Sequence, residues 1–140
     1  MAPPVDINFV AILIASIVSF VLGAVWYSPG LFGNIWARLS GMSEKGMKKN
    51  KQKGMVKLYI INFIFTLVMA YVLSHVIGWA QDVDFTGGAA TGFGMWAGFI
   101  LPLLVGSLLW EKKSMWLFII NAGYWLVSLV FMGGIIALWA

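Results

Sequence analysis

Four stretches of this chain are apolar over a length that matches a lipid bilayer, with short polar breaks between them. The first runs from about Ile7 to Trp26 with no charge and only Ser16 and Ser19 as polar side chains. Roughly 20 apolar residues rising about 1.5 Å each cross the ~30 Å hydrocarbon core of a bilayer, so 7–26 predicts a membrane-spanning helix. By the same criterion, spans two, three and four are predicted at about 58–79, 87–110 and 115–139. The expected fold is all-α: a single polytopic membrane domain over 1–140 with four transmembrane helices.

The first break, WYSPGLFGNIW from Trp26 to Trp36, changes the character of the chain. Trp26 and Tyr27 carry rings that favour the membrane–water boundary, and Ser28-Pro29-Gly30 cannot continue a regular helix. Beyond it, Leu31, Phe32, Ile35, Trp36 and Leu39 fall on one helical stripe while Asn34 and Arg38 point elsewhere. A helix over about 31–40 is too short to cross a bilayer, which predicts an interfacial helix lying on the membrane surface, with a re-entrant piece packed in the bundle as the alternative. At the other breaks, Ser114 is placed to cap span four.

Composition turns this pattern into a class. With 61% hydrophobic residues, 10% charged and 8 Trp in 140 residues, a chain this short could not bury its apolar surface in water. Cysteine is absent, which excludes disulfides, thiolate metal sites and a cysteine nucleophile. The N-terminus MAPPVDINF has no positive region ahead of its apolar run, so the first span is expected to stay in the mature protein. All nine Lys and Arg lie between Arg38 and Lys57 or at Lys112-Lys113, on one side of a four-span topology, whereas Asp6, Asp82 and Asp84 lie on the other. The positive-inside rule then predicts a multi-pass protein of the cell inner (cytoplasmic) membrane with both termini outside. The run carrying Lys45, Lys48, Lys49, Lys51 and Lys53 reads as a topology signal with scope for anionic-lipid contact, and it lacks the interleaved aromatics of nucleic-acid recognition.

Self-comparison aligns Leu58–Val68, LYIINFIFTLV, with Leu117–Val127, LFIINAGYWLV, including the pair Asn62 and Asn121. Two helical hairpins of the same orientation follow, a parallel repeat about an axis along the membrane normal. The run Trp26-Tyr27-Ser28-Pro29, then Phe32-Gly33, then Trp36 and Gly41, with Leu109-Trp110-Glu111 and the segment Leu117–Tyr124, resembles the DUF1761 family of small bacterial integral membrane proteins. The resemblance spans nearly the whole chain. It implies a four-span membrane protein and brings no catalytic residue; Trp26, Tyr27, Ser28, Pro29, Phe32, Gly33 and Trp36 carry over as signature positions alone.

Chemistry is sparse. His75, the single histidine, and Asp82 or Asp84 have no recognisable ligand spacing, so no metal site is expected, and His75 reads as a hydrogen-bonded boundary residue. The 8 Met are scattered and read as packing, and GGAATGFG from Gly87 lacks the Lys and Ser or Thr of a phosphate loop. Ala90, Gly94, Gly98, Pro102 and Gly106 recur every four residues, which predicts a smooth ridge for close helix packing and a central place for span three. Pro102 is expected to kink it. Asn62 and Asn121 sit at matching depths near Tyr27, Ser28, Glu111 and Tyr124, and a buried amide in hydrocarbon demands a partner, so both are expected to face the interior as glue or as a polar pocket.

No nucleophile, base or cofactor constellation emerges, so no enzyme and no cofactor are expected. The absence of acids near mid-membrane disfavours a proton-coupled pump. Two classes remain: a small oligomeric transporter or channel for a neutral or weakly charged solute, and a non-transporting interaction or structural protein. A homodimer held by small-residue faces and interfacial Trp is the expected assembly.

Overall fold

A computed structural model describes residues 5–39, 55–112 and 114–139. The lysines at 45, 48, 49, 51 and 53, with Gly41 and Lys113, lie outside the described residues. Within them the chain is helical: α1 (Phe9–Trp26), α2 (Gly33–Leu39), α3 (Met55–Ala80), α4 (Phe85–Met95), a π-helical turn (Trp96–Ile100), α5 (Leu101–Trp110) and α6 (Met115–Leu138). The helix α4, the π-turn and α5 are continuous, so four helices are long and apolar enough to span a membrane.

Local chemistry sets the ends of these helices. The Asn8 side chain accepts from the amides of Val10 and Ala11 and starts α1, and the Asp84 carboxylate accepts from Gly87 N–H at 2.8 Å and starts α4. Both satisfy amides that a helix start leaves open. Ser114 stands at the N-cap position of α6 but makes no side-chain cap bond, contrary to expectation. The two tight reversals each contain a non-glycine residue in the left-handed region, Gln81 at φ 60° and Lys112 at φ 51°.

The centre of the bundle is α6. Half of its most apolar window is buried (50%), against 28% for α1 and for α3 and 6% for span three. Ile12 and Ala15 of α1, Leu73 and Ile77 of α3, and Met132 and Ile136 of α6 form the closed core. Span three, expected at the centre, is the most peripheral. It does pack closely on α6, through Gly88 and Gly92 rather than the predicted ridge: a Cβ at Gly88 would meet the Gly133 carbonyl, and one at Gly92 the Leu129 carbonyl. Glycine is required there because the two backbones nearly touch. By contrast a Cβ at Gly94, Gly98 or Gly106 would meet nothing within 4 Å, and Ala90 and Pro102 are exposed.

The effect expected of Pro102 appears as the π-turn immediately before it. Pro102 lacks an N–H, so it cannot donate to the carbonyl one turn earlier, and widening the helix accommodates this; Leu101 N–H donates to the Trp96 carbonyl across the wider turn. The Trp96 indole N–H donates to the Ala122 carbonyl at 2.9 Å and pins this turn to α6.

Candidate functional site

Polar side chains inside the bundle gather along one seam, between α1 and α6. Ser16, Ser19, Gly23 and Tyr27 succeed one another at three- and four-residue steps and share a face of the chain leaving α1; Asn121, Tyr124, Ser128 and Met132 do the same on α6. Because the helices run antiparallel, the two series meet rung by rung. The Ser19 and Ser128 hydroxyls lie 2.5 Å apart, and Ser19 is 3.3 Å from the Tyr124 hydroxyl, which donates to the Ser19 carbonyl at 2.9 Å. Ser16 donates to the Ile12 carbonyl at 2.8 Å, and Ser128 lies 3.6 Å from Met132 Sδ. Ser16, Ser19 and Ser128 are fully buried. Gly23 makes room for Tyr124, whose hydroxyl would stand 3.0 Å from a Cβ there.

The seam ends at the elbow where α1 stops. Tyr27 donates its hydroxyl to Asn121 Oδ1 at 2.7 Å, and its ring meets Trp36 at 5.8 Å and Tyr124 at 5.5 Å edge-on. Burial holds the Tyr27 phenol above its ordinary range, and neighbouring Tyr124 adds to this. Beside it the Trp26 indole donates to the Ile120 carbonyl at 3.0 Å and packs on Phe32 at 4.9 Å. The turn itself is held by the Ser28 carbonyl, which accepts from Leu31 N–H and Gly33 N–H, by the Ser28 hydroxyl on the Val25 carbonyl, and by Asn34 on the Pro29 carbonyl. A Cβ at Gly33 would collide with the Tyr27 carbonyl, so only glycine closes the elbow. Hence α2 does not continue α1. It folds back and packs on α6.

A family model described as a protein of unknown function, DUF1761, matches residues 10–137, nearly the whole chain. The chain belongs to the DUF1761 family. No curated protein matches it, and no solved structure does. In this DUF1761 chain the positions that carried the resemblance have a structural task in common: Trp26, Tyr27, Ser28, Pro29, Phe32, Gly33 and Trp36 build the elbow and tie it to α6.

Of the six residues expected to share a polar pocket, Tyr27, Asn121 and Tyr124 come together. The others do not. Ser28 is spent on its own turn, and Glu111 lies exposed where α5 ends, accepting from Ser107 at 2.9 Å. Asn62 is exposed on the outer surface of α3, and its side chain has no hydrogen bond among the described residues. The aligned asparagines therefore occupy unlike environments, because α3 presents residues 56–62 outward whereas α6 is enclosed. Sequence reasoning missed Ser19 and Ser128 as the middle of the seam. The signal was present for Ser19, since Ser16 and Ser19 are the two polar side chains of span one.

Elsewhere the candidate ligands are spent separately. His75 Nδ1 lies 3.0 Å from the Tyr71 carbonyl and its ring packs between Tyr71 and Trp79. Asp82 accepts from Thr91 while Asp84 caps α4. Among the described residues no cluster of three or more His, Asp or Glu could hold a metal. No fully buried side-chain polar atom there lacks a partner, so the buried rungs of the seam are satisfied and lock α1 to α6.

Proposed function

We propose that this protein is a non-enzymatic membrane protein of the cell inner membrane that works by assembling with copies of itself through the outer face of span three. The carrying observation is that only 6% of that span's most apolar window is buried, and that Gly94, Gly98 and Gly106 face open space while Gly88 and Gly92 are already used inside. A glycine-lined helix face gives little dispersion energy against mobile lipid tails and much more against another helix. The assembly is a homodimer with its axis along the membrane normal, and the two hairpins are read as repeats about a parallel axis.

A second reading, solute transport, is favoured by one feature. The π-turn and Pro102 leave backbone acceptor capacity on the uncovered span, and interrupted helices supply solute sites in transporters. Since the core and seam are closed within one chain, a pathway for a neutral or weakly charged solute would run between copies. Native mass spectrometry in mild detergents tests the assembly. A dimer that survives high salt and is lost in Gly94→Leu and Gly98→Leu is the expected result; monomer alone at every concentration, or a dimer indifferent to both substitutions, overturns it. Solute flux in proteoliposomes that vanishes with the dimer would select the second reading.

A further inference from the structure

Between α2 and α6, below the elbow, lies an open groove of about 440 Å³. Its walls are Trp26 and Phe32 on one side and Trp116, Ile119 and Ile120 on the other, with Arg38 in the lining. The walls are fixed from behind. The Trp26 indole is anchored to the Ile120 carbonyl at 3.0 Å, and Gly123 seats the same ring, whose edge would lie 3.1 Å from a Cβ. Ile35, Ile119 and Trp116 remain 38%, 48% and 67% exposed, so the groove opens sideways as well as toward the polar boundary.

What would occupy it follows from the unspent groups in its lining. The Trp26 N–H is taken, while the Arg38 guanidinium and the Trp116 indole N–H have no partner among the described residues. Both are donors. Among the described residues no acidic one lines the groove, and every other lining side chain is apolar. An occupant must therefore combine an anionic head, for the guanidinium fork and the indole, with a hydrocarbon body for the aromatic and Ile walls. A free phosphate would leave those walls wet. A second copy of the chain is poorly suited, since Glu111, the described acid at the basic end, is already engaged with Ser107. We infer that this groove is a binding site for one anionic phospholipid, with its phosphate on Arg38 and Trp116 and an acyl chain along Ile35 and Ile119. Basic pockets between membrane helices at the boundary are suited to such headgroups.

The test is lipid retention by the purified full chain, read by native mass spectrometry with phosphatidylglycerol and phosphatidylcholine of identical acyl chains. The wild type is expected to retain phosphatidylglycerol preferentially. Arg38→Gln, at an exposed position that leaves the fold intact, should lower that retention by about fivefold, and Ile35→Trp, which fills the groove without touching the cation, should lower it as well. Glycerol phosphate, a head without a tail, should not compete. Equal retention of both lipids, an unchanged Arg38→Gln, or competition by glycerol phosphate each overturns the site. Retention that falls on replacing the lysines at 45, 48, 49, 51 and 53 with Gln while ignoring Ile35→Trp would assign the effect to diffuse surface charge and overturn it equally.

Discussion

Two asparagines show what a side chain's environment does to its energetics. Asn121 accepts the Tyr27 hydroxyl at 2.7 Å inside the elbow, whereas Asn62 is exposed and its side chain makes no hydrogen bond among the described residues. Asn121→Leu strands the Tyr27 hydroxyl in an apolar setting, and should destabilise the fold by about 1–2 kcal/mol. Asn62→Leu should leave the monomer's stability unchanged or raise it. Thermal unfolding of both variants in a detergent that keeps the chain monomeric separates them; equal losses would mean that Asn62 is also buried. The sequence aligned the two residues and could not tell their environments apart, because the distinction lies in which helix is enclosed. The buried pair of serines follows the same logic. A double-mutant cycle on Ser19→Ala and Ser128→Ala should return a coupling of about 0.6–1.7 kcal/mol, the span found for hydrogen bonds between membrane helices, and zero coupling would mean that the 2.5 Å approach contributes no stability.

At the scale of elements, span three carries two small-residue faces with opposite fates. Gly88 and Gly92 let it approach the α6 backbone, while Gly94 and Gly98 face outward. The four-residue spacing of Ala90, Gly94, Gly98, Pro102 and Gly106 was legible in the sequence. Its direction was not, because Gly88 and Gly92 supply a competing inner face and nothing local ranks the two. Gly92→Leu should force the helices apart and cost about 1–3 kcal/mol or prevent folding, whereas Gly94→Leu should melt like the wild type in monomeric form. The elbow was legible because Ser28-Pro29-Gly30 must break a helix whatever surrounds it. The π-turn was only half so: Pro102 announces a disturbance, but whether the helix kinks or widens depends on Trp96 reaching the Ala122 carbonyl from a neighbouring helix.

On the scale of the whole molecule, the span count followed from hydrophobic length alone, and the geometry then divides the charges. Arg38, Lys57 and Lys112 belong to the end of the bundle where α1 stops and α6 starts, while Asp6, Asp82 and Asp84 belong to the opposite end. Hydrogen bonds fix this division independently of any membrane, since Tyr27 reaches Asn121 at one end and Asn8 reaches the Trp139 carbonyl at the other. Only the basic end carries an excess of Lys and Arg close to span termini, so the orientation with that end toward the cytoplasm is the one favoured by the insertion bias. The same bias would hold Arg38, and with it the groove beside α2, against the leaflet that carries anionic lipid. Single cysteines introduced at Lys49 and Val83, in a chain that has none of its own, read this directly. A membrane-impermeant maleimide added to intact cells should label position 83 and reach position 49 only after the membrane is opened; labelling of both from outside would overturn the four-span topology, and labelling of position 49 alone would reverse the orientation and remove the lipid groove from the leaflet that could fill it.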